Sequence, residues 1–231
     1  PSLIAKHYTF ENYVDLFTKT EFPRALLNSL MIAFLTTVCC LLISILGSYA
    51  MTRLKYPGRR FFKTSIIFSY LIPTAVLFVP MYVFVSKLGF YDNKWALLII
   101  YPTTVVPYCC YMLMSYFKAI PYALEEAALI DGCTRMKSLR YIITPIALPG
   151  IAVVATFAFT MSWNEYLYAM IMTTSPAQQT AVVAISSFKY ADSAIWGRIM
   201  AASVLTSLPV TIIYIVAQAQ LISGKSDGSV K

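Results

Sequence analysis

The chain has 231 residues, of which 59% are hydrophobic and only 12% charged, with a mean hydropathy of +0.69 and a formal net charge of +8. A soluble domain carries about 25% charged residues, so this composition excludes an ordinary water-soluble fold. It also excludes a nucleic-acid-binding domain, because no polar surface is present to gather the excess Lys and Arg into a basic face.

Charge is absent from six windows, 25–52, 64–86, 95–117, 141–164, 166–188 and 199–224. A bilayer-crossing helix needs about 20 mostly apolar residues, and each window is long enough. The window 166–188 contains "TTSPAQQT", which suits a polar connection better than a lipid-exposed helix. The expectation is an all-α integral membrane protein with five visible spans at 25–51, 64–86, 95–117, 149–171 and 199–222.

In chain order, residues 1–24 form an amphipathic external segment without a signal-peptide pattern. The first span leads into "TRLKYPGRRFFK", which has five basic residues and no acid. Counting Lys and Arg puts this loop, the connection 118–148 and the tail 223–231 on the cytoplasmic side, with 11 of the 18 basic residues. Cys39, Cys40, Cys109 and Cys110 lie within spans as small apolar residues. Neither they, Cys133 nor the lone His7 has metal-ligand or disulfide spacing. Pro73, Pro80, Pro102 and Pro107 are expected to break their spans.

The connection 118–148 is longer and more patterned than a link between two spans requires. "IPYALEEAALIDG" reads as a short helix with Pro121 at its first turn, and Glu125 and Glu126 in its N-terminal half. Gly132 falls at the position that needs φ > 0. Leu124, Ala127, Ala128 and Ile130 give it one small, mostly apolar side. "CTRMKSLRYII" then starts at Thr134 as an N-cap and runs to Pro145, which ends it or kinks it into the next span. The shape is a helix–turn–helix knob suited to a partner's groove. An interfacial helix lying on the membrane is the plainer alternative.

Beyond the knob, Trp163, Asn164, Glu165, Tyr166 and Tyr168 crowd the far half of the span 149–171. Polar and aromatic groups in spans are candidates for lining a pathway. For Trp163 and Tyr168 the alternative is the interfacial aromatic belt. Asn164 needs a partner, and Tyr166 and Tyr111 join it as path candidates. Tyr101 and Asn28 are weaker ones, where helix packing is the competing role. The connection from Thr173 to Gly197 is too long for a plain turn. "SGKSDG" at 223–228 contains Gly-Lys-Ser, but Ala219 stands where the phosphate loop requires glycine. No nucleophile–base pair or metal-ligand set offers an intramembrane enzyme. Neither inverted repeats nor mid-membrane ionisable residues mark an ion-driven transporter.

Glu126-Ala127-Ala128, three residues, Gly132, nine residues, then Ile142 and Pro145 resembles the EAA motif of binding-protein-dependent ABC transporter permeases, with Thr144 where the motif has Leu. The resemblance covers nearly the whole chain. It is closest to the carbohydrate, MalG-like group, through "FENYVDLF", "LLNSLMIAFLTT", "YAMTRLKYPGRRFF", "SWNEYLYAMIMT" and "WGRIMAASVLTSLPV". It implies a type I ABC importer permease fold of six spans, the first lying upstream of residue 1, in a bacterial or archaeal cytoplasmic membrane. It implies a transport subunit, not an enzyme. Its partners would be a second homologous permease subunit, two ATPase subunits that bind ATP and Mg, and an extracytoplasmic solute-binding protein delivering a sugar. This chain would bind no cofactor. The loop Tyr122–Arg140 would be the coupling helix docked on the ATPase, through Glu125, Glu126, Ala127, Ala128, Asp131, Gly132 and Arg135. The tail from Gly224 to Val230 would touch the ATPases, and the 173–197 connection would contact the binding protein or pack as a short helix. An ABC importer for a non-sugar solute is the alternative.

Overall fold

The computed structural model describes the backbone of residues 9–188 and 195–226, with side chains over 9–188 and 196–218. His7 and the side chains of the tail lie outside the described residues. In chain order the helices are α1 (Glu11–Thr18), α2 (Phe22–Arg53), α3 (Arg59–Leu71), α4 (Thr74–Lys87), α5 (Ala96–Ala119), α6 (Tyr122–Ile130), α7 (Arg135–Ser138), a π turn over Leu139–Ile143, α8 (Thr144–Ile146), α9 (Leu148–Trp163), α10 (Leu167–Met172), α11 (Ala181–Ser187) and α12 (Ile195–Ser226).

Three helices are long and apolar enough to cross a bilayer alone: α2, α5 and the stretch Trp196–Gln218 of α12. Two bent pairs are long and apolar enough only when each is taken as one span, α3 with α4 at 99° and Arg135–Ile146 with α9 at 82°. The span expected at 64–86 is therefore two helices of 13 and 14 residues. Each is about 20 Å long, short of the roughly 30 Å hydrocarbon core. The cause is local: a residue before proline avoids the helical region, and Ile72 and Pro73 are extended, with ψ of 121° and 127°. Pro80, Pro102 and Pro107, by contrast, sit inside continuous helices. The span expected at 149–171 is interrupted after Trp163 and resumes at Leu167.

α2 is the spine, packing along α5 and α9. In a bilayer close approach, not apolarity, drives helix association, and α2 supplies it through Cys40, Ser44 and Ser48, one turn apart and all buried. The Ser48 hydroxyl donates to the Cys110 carbonyl at 3.0 Å. Cys40, Cys109, Leu113 and Phe117 of this seam join Val154 and Ala158 of α9 in one core cluster. α9 comes close to α5 at Gly150, where an added Cβ would lie 2.4 Å from the Tyr116 ring.

At the Asn28 end, α2 is tied to the connection after α10. The Asn28 amide donates to the carbonyls of Ala177 at 3.1 Å and Gln179 at 3.0 Å, and its Oδ1 accepts from Lys94 Nζ at 2.7 Å. Ser29 Oγ accepts from the Ala181 amide at 2.8 Å. Asp92, at φ +48°, accepts from the amides of Thr174 and Ser175 at 2.8 Å and from the Ser175 hydroxyl. The Ser175 and Thr174 hydrogen bonds hold the Asp92 carboxyl below its usual range. α11 packs on α2 and α12, so the part of the 173–197 connection that is described is largely committed within this chain. α1 is fastened to α12 by Asp15, 2.9 Å from Arg198 and 2.8 Å from Lys19.

Candidate functional site

At the Arg53 end, the connection between α5 and α9 forms a compact knob. Pro121 is extended and stands immediately before α6. α6 ends in a Schellman motif: the Gly132 amide donates to the Leu129 carbonyl at 3.2 Å and the Cys133 amide to the Ala128 carbonyl at 2.9 Å. Gly132 supplies the required left-handed backbone, at φ +83°. Thr134 then caps α7, its Oγ1 accepting from the Lys137 amide at 3.3 Å. The π turn and α8 carry the chain to the 82° bend at α9, two residues beyond Pro145; such turns recur at functional sites.

The knob has two faces. Glu126, Ala127, Asp131, Gly132 and Arg135 are exposed, Ile130 is 86% exposed, and a Cβ added at Gly132 would meet nothing within 4 Å among the described residues. Glu125 and Ala128 are turned inward, each 5% exposed. The Tyr49 hydroxyl of α2 donates to Glu125 Oε1 at 2.5 Å, and the Tyr122 hydroxyl donates to the Thr52 carbonyl at 2.9 Å. Arg53, the last residue of α2, donates from Nη2 to the Phe117 and Ile120 carbonyls where α5 ends. A cation there answers the orphan carbonyls and the negative end of the helix dipole. Its guanidinium carbon sits 4.1 Å from the Tyr122 ring centroid, and its Nε lies 3.8 Å from Glu125 Oε2. Three α2 residues thus hold the knob's inner side and leave its tip bare. Sequence reading places Glu125 with the contact residues; nothing local marks Arg53 or Tyr49 as its partners.

The second feature is the interruption between α9 and α10. Breaking a helix at membrane depth orphans backbone groups. Glu165 answers two of them, its carboxylate accepting from the amides of Tyr168 at 3.0 Å and Ala169 at 3.1 Å. The aromatic candidates separate here. Trp163 is 2% exposed; its indole donates to the Thr206 carbonyl at 3.1 Å and its ring stacks on Phe159, so it cements α9 to α12. Tyr168 is buried and donates to the Thr74 carbonyl at 3.1 Å. Tyr166 packs on the cluster holding Tyr101, while Tyr111 is exposed on α5.

Asn164 opens onto a groove, of about 400 Å³, whose other walls include Ser203, Thr206, Ser207 and Thr211 of α12. A second hollow of about 400 Å³ continues from Thr211 to Tyr214 and Gln218, with Thr156 of α9 opposite. α12 therefore shows two exposed faces. Met200, Val204, Leu208, Ile212 and Val216 make an apolar one, and Ser203, Ser207, Thr211 and Tyr214 make a hydroxyl-bearing one. The latter was not singled out above, although its spacing of four, four and three in "SVLTSLPVTIIY" is visible in the sequence.

Comparison with known proteins places this architecture. The family model "Binding-protein-dependent transport system inner membrane component" matches residues 43–225. An inner membrane ABC transporter permease protein, YcjP, of Escherichia coli (strain K12) is 36% identical over 100% of this chain and 83% of its own length. The trehalose transport system permease protein SugB of Mycobacterium tuberculosis (strain CDC 1551 / Oshkosh) is 32% identical over 99% of this chain and 84% of its own. The trehalose/maltose transport system permease protein MalG of Thermococcus litoralis is 34% identical over 99% and 84%. A chain in the crystal structure of a bacterial ABC transporter that imports the acidic polysaccharide alginate superposes with a TM-score of 0.81 and 22% identity, over 91% of this chain and 79% of that one. The fold is the all-α, type I ABC importer permease fold. With the family model over most of its length and relatives along all of it, the chain belongs to the binding-protein-dependent transport system inner membrane components, as a multi-pass transport subunit and not an enzyme.

Proposed function

We propose that this chain is one of two permease subunits of an ATP-driven carbohydrate importer, and that its knob is the site where an ATPase acts on it. The carrying observation is the knob's division of labour. Tyr49, Thr52 and Arg53 secure one side, while Glu126, Ala127, Asp131, Gly132 and Arg135 stand exposed around a capped glycine turn, where a Cβ added at Gly132 would meet nothing within 4 Å among the described residues. A knob this well ordered, with an exposed isoleucine and alanine at its tip, suits insertion into a partner's cleft. Glu125 and Ala128 serve from within, fixing the angle at which the tip is presented. The Gly132 end then faces the cytoplasm, in keeping with the basic first loop, and the Asn28 end faces an extracytoplasmic solute-binding protein. ATP and Mg belong to two ATPase subunits, and closure of those subunits tilts the spans between inward-open and outward-open states.

The names of the trehalose and trehalose/maltose relatives favour a sugar as cargo. Chemistry on this chain agrees: Asn164 and the α12 hydroxyls offer hydrogen bonds along a groove, the complement of a polyol.

The test is affinity purification of the tagged chain from its own membranes, followed by uptake assays in proteoliposomes. The expected result is co-purification of an ATPase and a second permease, with ATP-dependent uptake of a sugar supplied by its binding protein. Gly132→Asp is expected to lose the ATPase; its side chain has room but is strained at φ +83°, so helicity by circular dichroism on the same sample separates lost docking from lost folding. Full transport by that variant overturns the coupling assignment, and uptake of amino acids or polyamines but no sugar overturns the cargo.

A further inference from the structure

Each hydroxyl that α12 turns to the two hollows commits its proton to its own helix. Ser203 donates to the Ile199 carbonyl at 2.8 Å, Thr206 to Ala202 at 2.8 Å, Ser207 to Val204 at 2.8 Å and Thr211 to Ser207 at 2.9 Å. Opposite them, Thr156 of α9 donates to the Ala152 carbonyl at 3.0 Å. Bonding back to a carbonyl three or four residues earlier satisfies a helical hydroxyl without any outside partner. A hydroxyl has one proton and two acceptor lone pairs, so these five side chains keep acceptors for whatever enters. All five line the hollows, and Ser203, Ser207 and Thr211 are exposed. Among the described residues, none that lines either hollow is charged; Asn164, Tyr214 and Gln218 add neutral donors.

We propose that this wall selects its cargo by donors: it accepts from the O–H groups of an uncharged saccharide and excludes sugars that carry a carboxylate, sulfonate or phosphate. An ionised acid group has acceptors only. Against α12 it sets lone pair against lone pair, or pulls a hydroxyl off its carbonyl, and it gives up its water with no cation among the lining residues to replace it. A neutral sugar brings a donor on most of its carbons and meets the wall without displacing any bond already made. A cationic amine also brings donors, but its charge would be desolvated with no carboxylate among the lining residues. The inference rests on the groove being the cargo path, and it narrows the proposed cargo from sugar to uncharged sugar.

The test places a Ser203→Cys reporter in a cysteine-free background of the full chain, with its co-purifying partners, in nanodiscs. It reads the rate of labelling by a polar thiol reagent, without any binding protein to preselect the sugar. The probes are trehalose and maltose, the same disaccharides oxidised at C6 to uronates, and the primary amides of those uronates. The neutral sugars and the amides are expected to slow labelling, and the uronates to need at least about tenfold higher concentration for the same effect, the loss of one to two hydrogen bonds. Ser207→Ala with Thr211→Val, both at exposed positions, should weaken protection by the neutral sugar about fivefold per hydroxyl and narrow the gap to the uronate. Equal protection by sugar and uronate overturns the selection and leaves the path standing. A gap that survives loss of both hydroxyls overturns the role of α12, and stronger protection by spermidine than by any sugar overturns the uncharged cargo. Protection by no probe means that the path lies elsewhere, which overturns that reading and this inference with it.

Discussion

Glu125 carries more than its neighbours. It accepts from Tyr49, faces Arg53 and lies buried at the base of the exposed tip. Removing a buried acceptor leaves its donors unsatisfied, at about 1–3 kcal/mol. Glu125→Ala is therefore expected to lower the thermal midpoint and to loosen the tip. Tyr49→Phe should cost less, and the double variant should cost less than the sum, a coupling that a double-mutant cycle reads directly. Asp92 makes a second prediction, one of pH. Its carboxyl is held low by Ser175 and Thr174, so its contribution is complete above about pH 4, the unfolded carboxylate value, and fades as pH falls through the lower folded value. Protection of the Thr174 and Ser175 amides, corrected for intrinsic exchange, should drop across that acidic window. In Asp92→Asn the drop should be absent.

Among the elements, α5 and α9 depend on close approach. Gly150→Ala places a methyl carbon 2.4 Å from the Tyr116 ring. Overpacking of this kind costs about 1–3 kcal/mol, and a thermal shift assay should show the loss. Gly150→Ala in a Tyr116→Ala background should recover part of it, whereas Tyr116→Phe keeps the ring and should not. Much at this scale is legible in the sequence, because caps and breaks are local. The Gly132 turn and the Thr134 cap both follow from single residue types. The 99° bend does not, since Pro80, Pro102 and Pro107 look alike in sequence and interrupt nothing. Nor does the inward turn of Glu125, whose partner Tyr49 is 76 residues away. For the same reason Trp163 reads as a path or belt residue until α12 is seen against it.

For the molecule as a whole, the hydroxyl-bearing face of α12 should be wet and the apolar face should not. In a cysteine-free background, Ser207→Cys and Thr211→Cys are expected to react with a membrane-impermeant thiol reagent, and transported sugar should slow them. Leu208→Cys and Ile212→Cys should stay unreactive. The reverse pattern would place the path elsewhere and turn the hydroxyls toward a neighbouring subunit. The period of those hydroxyls is legible in the sequence, but their alignment with Asn164 is not, because it depends on how α9 and α12 cross. One feature joins the two ends of the molecule. α2 is a single helix of 32 residues, about 48 Å long, with no break between Asn28 at one end and Arg53 at the other. Its first turns hold the connection after α10, and its last turn holds the knob. A rod fastened at both ends works as a lever. Force applied to the tip of α6 has no hinge in α2 to absorb it, so the two surfaces of the membrane share one mechanical part, and a push on either is delivered to the other.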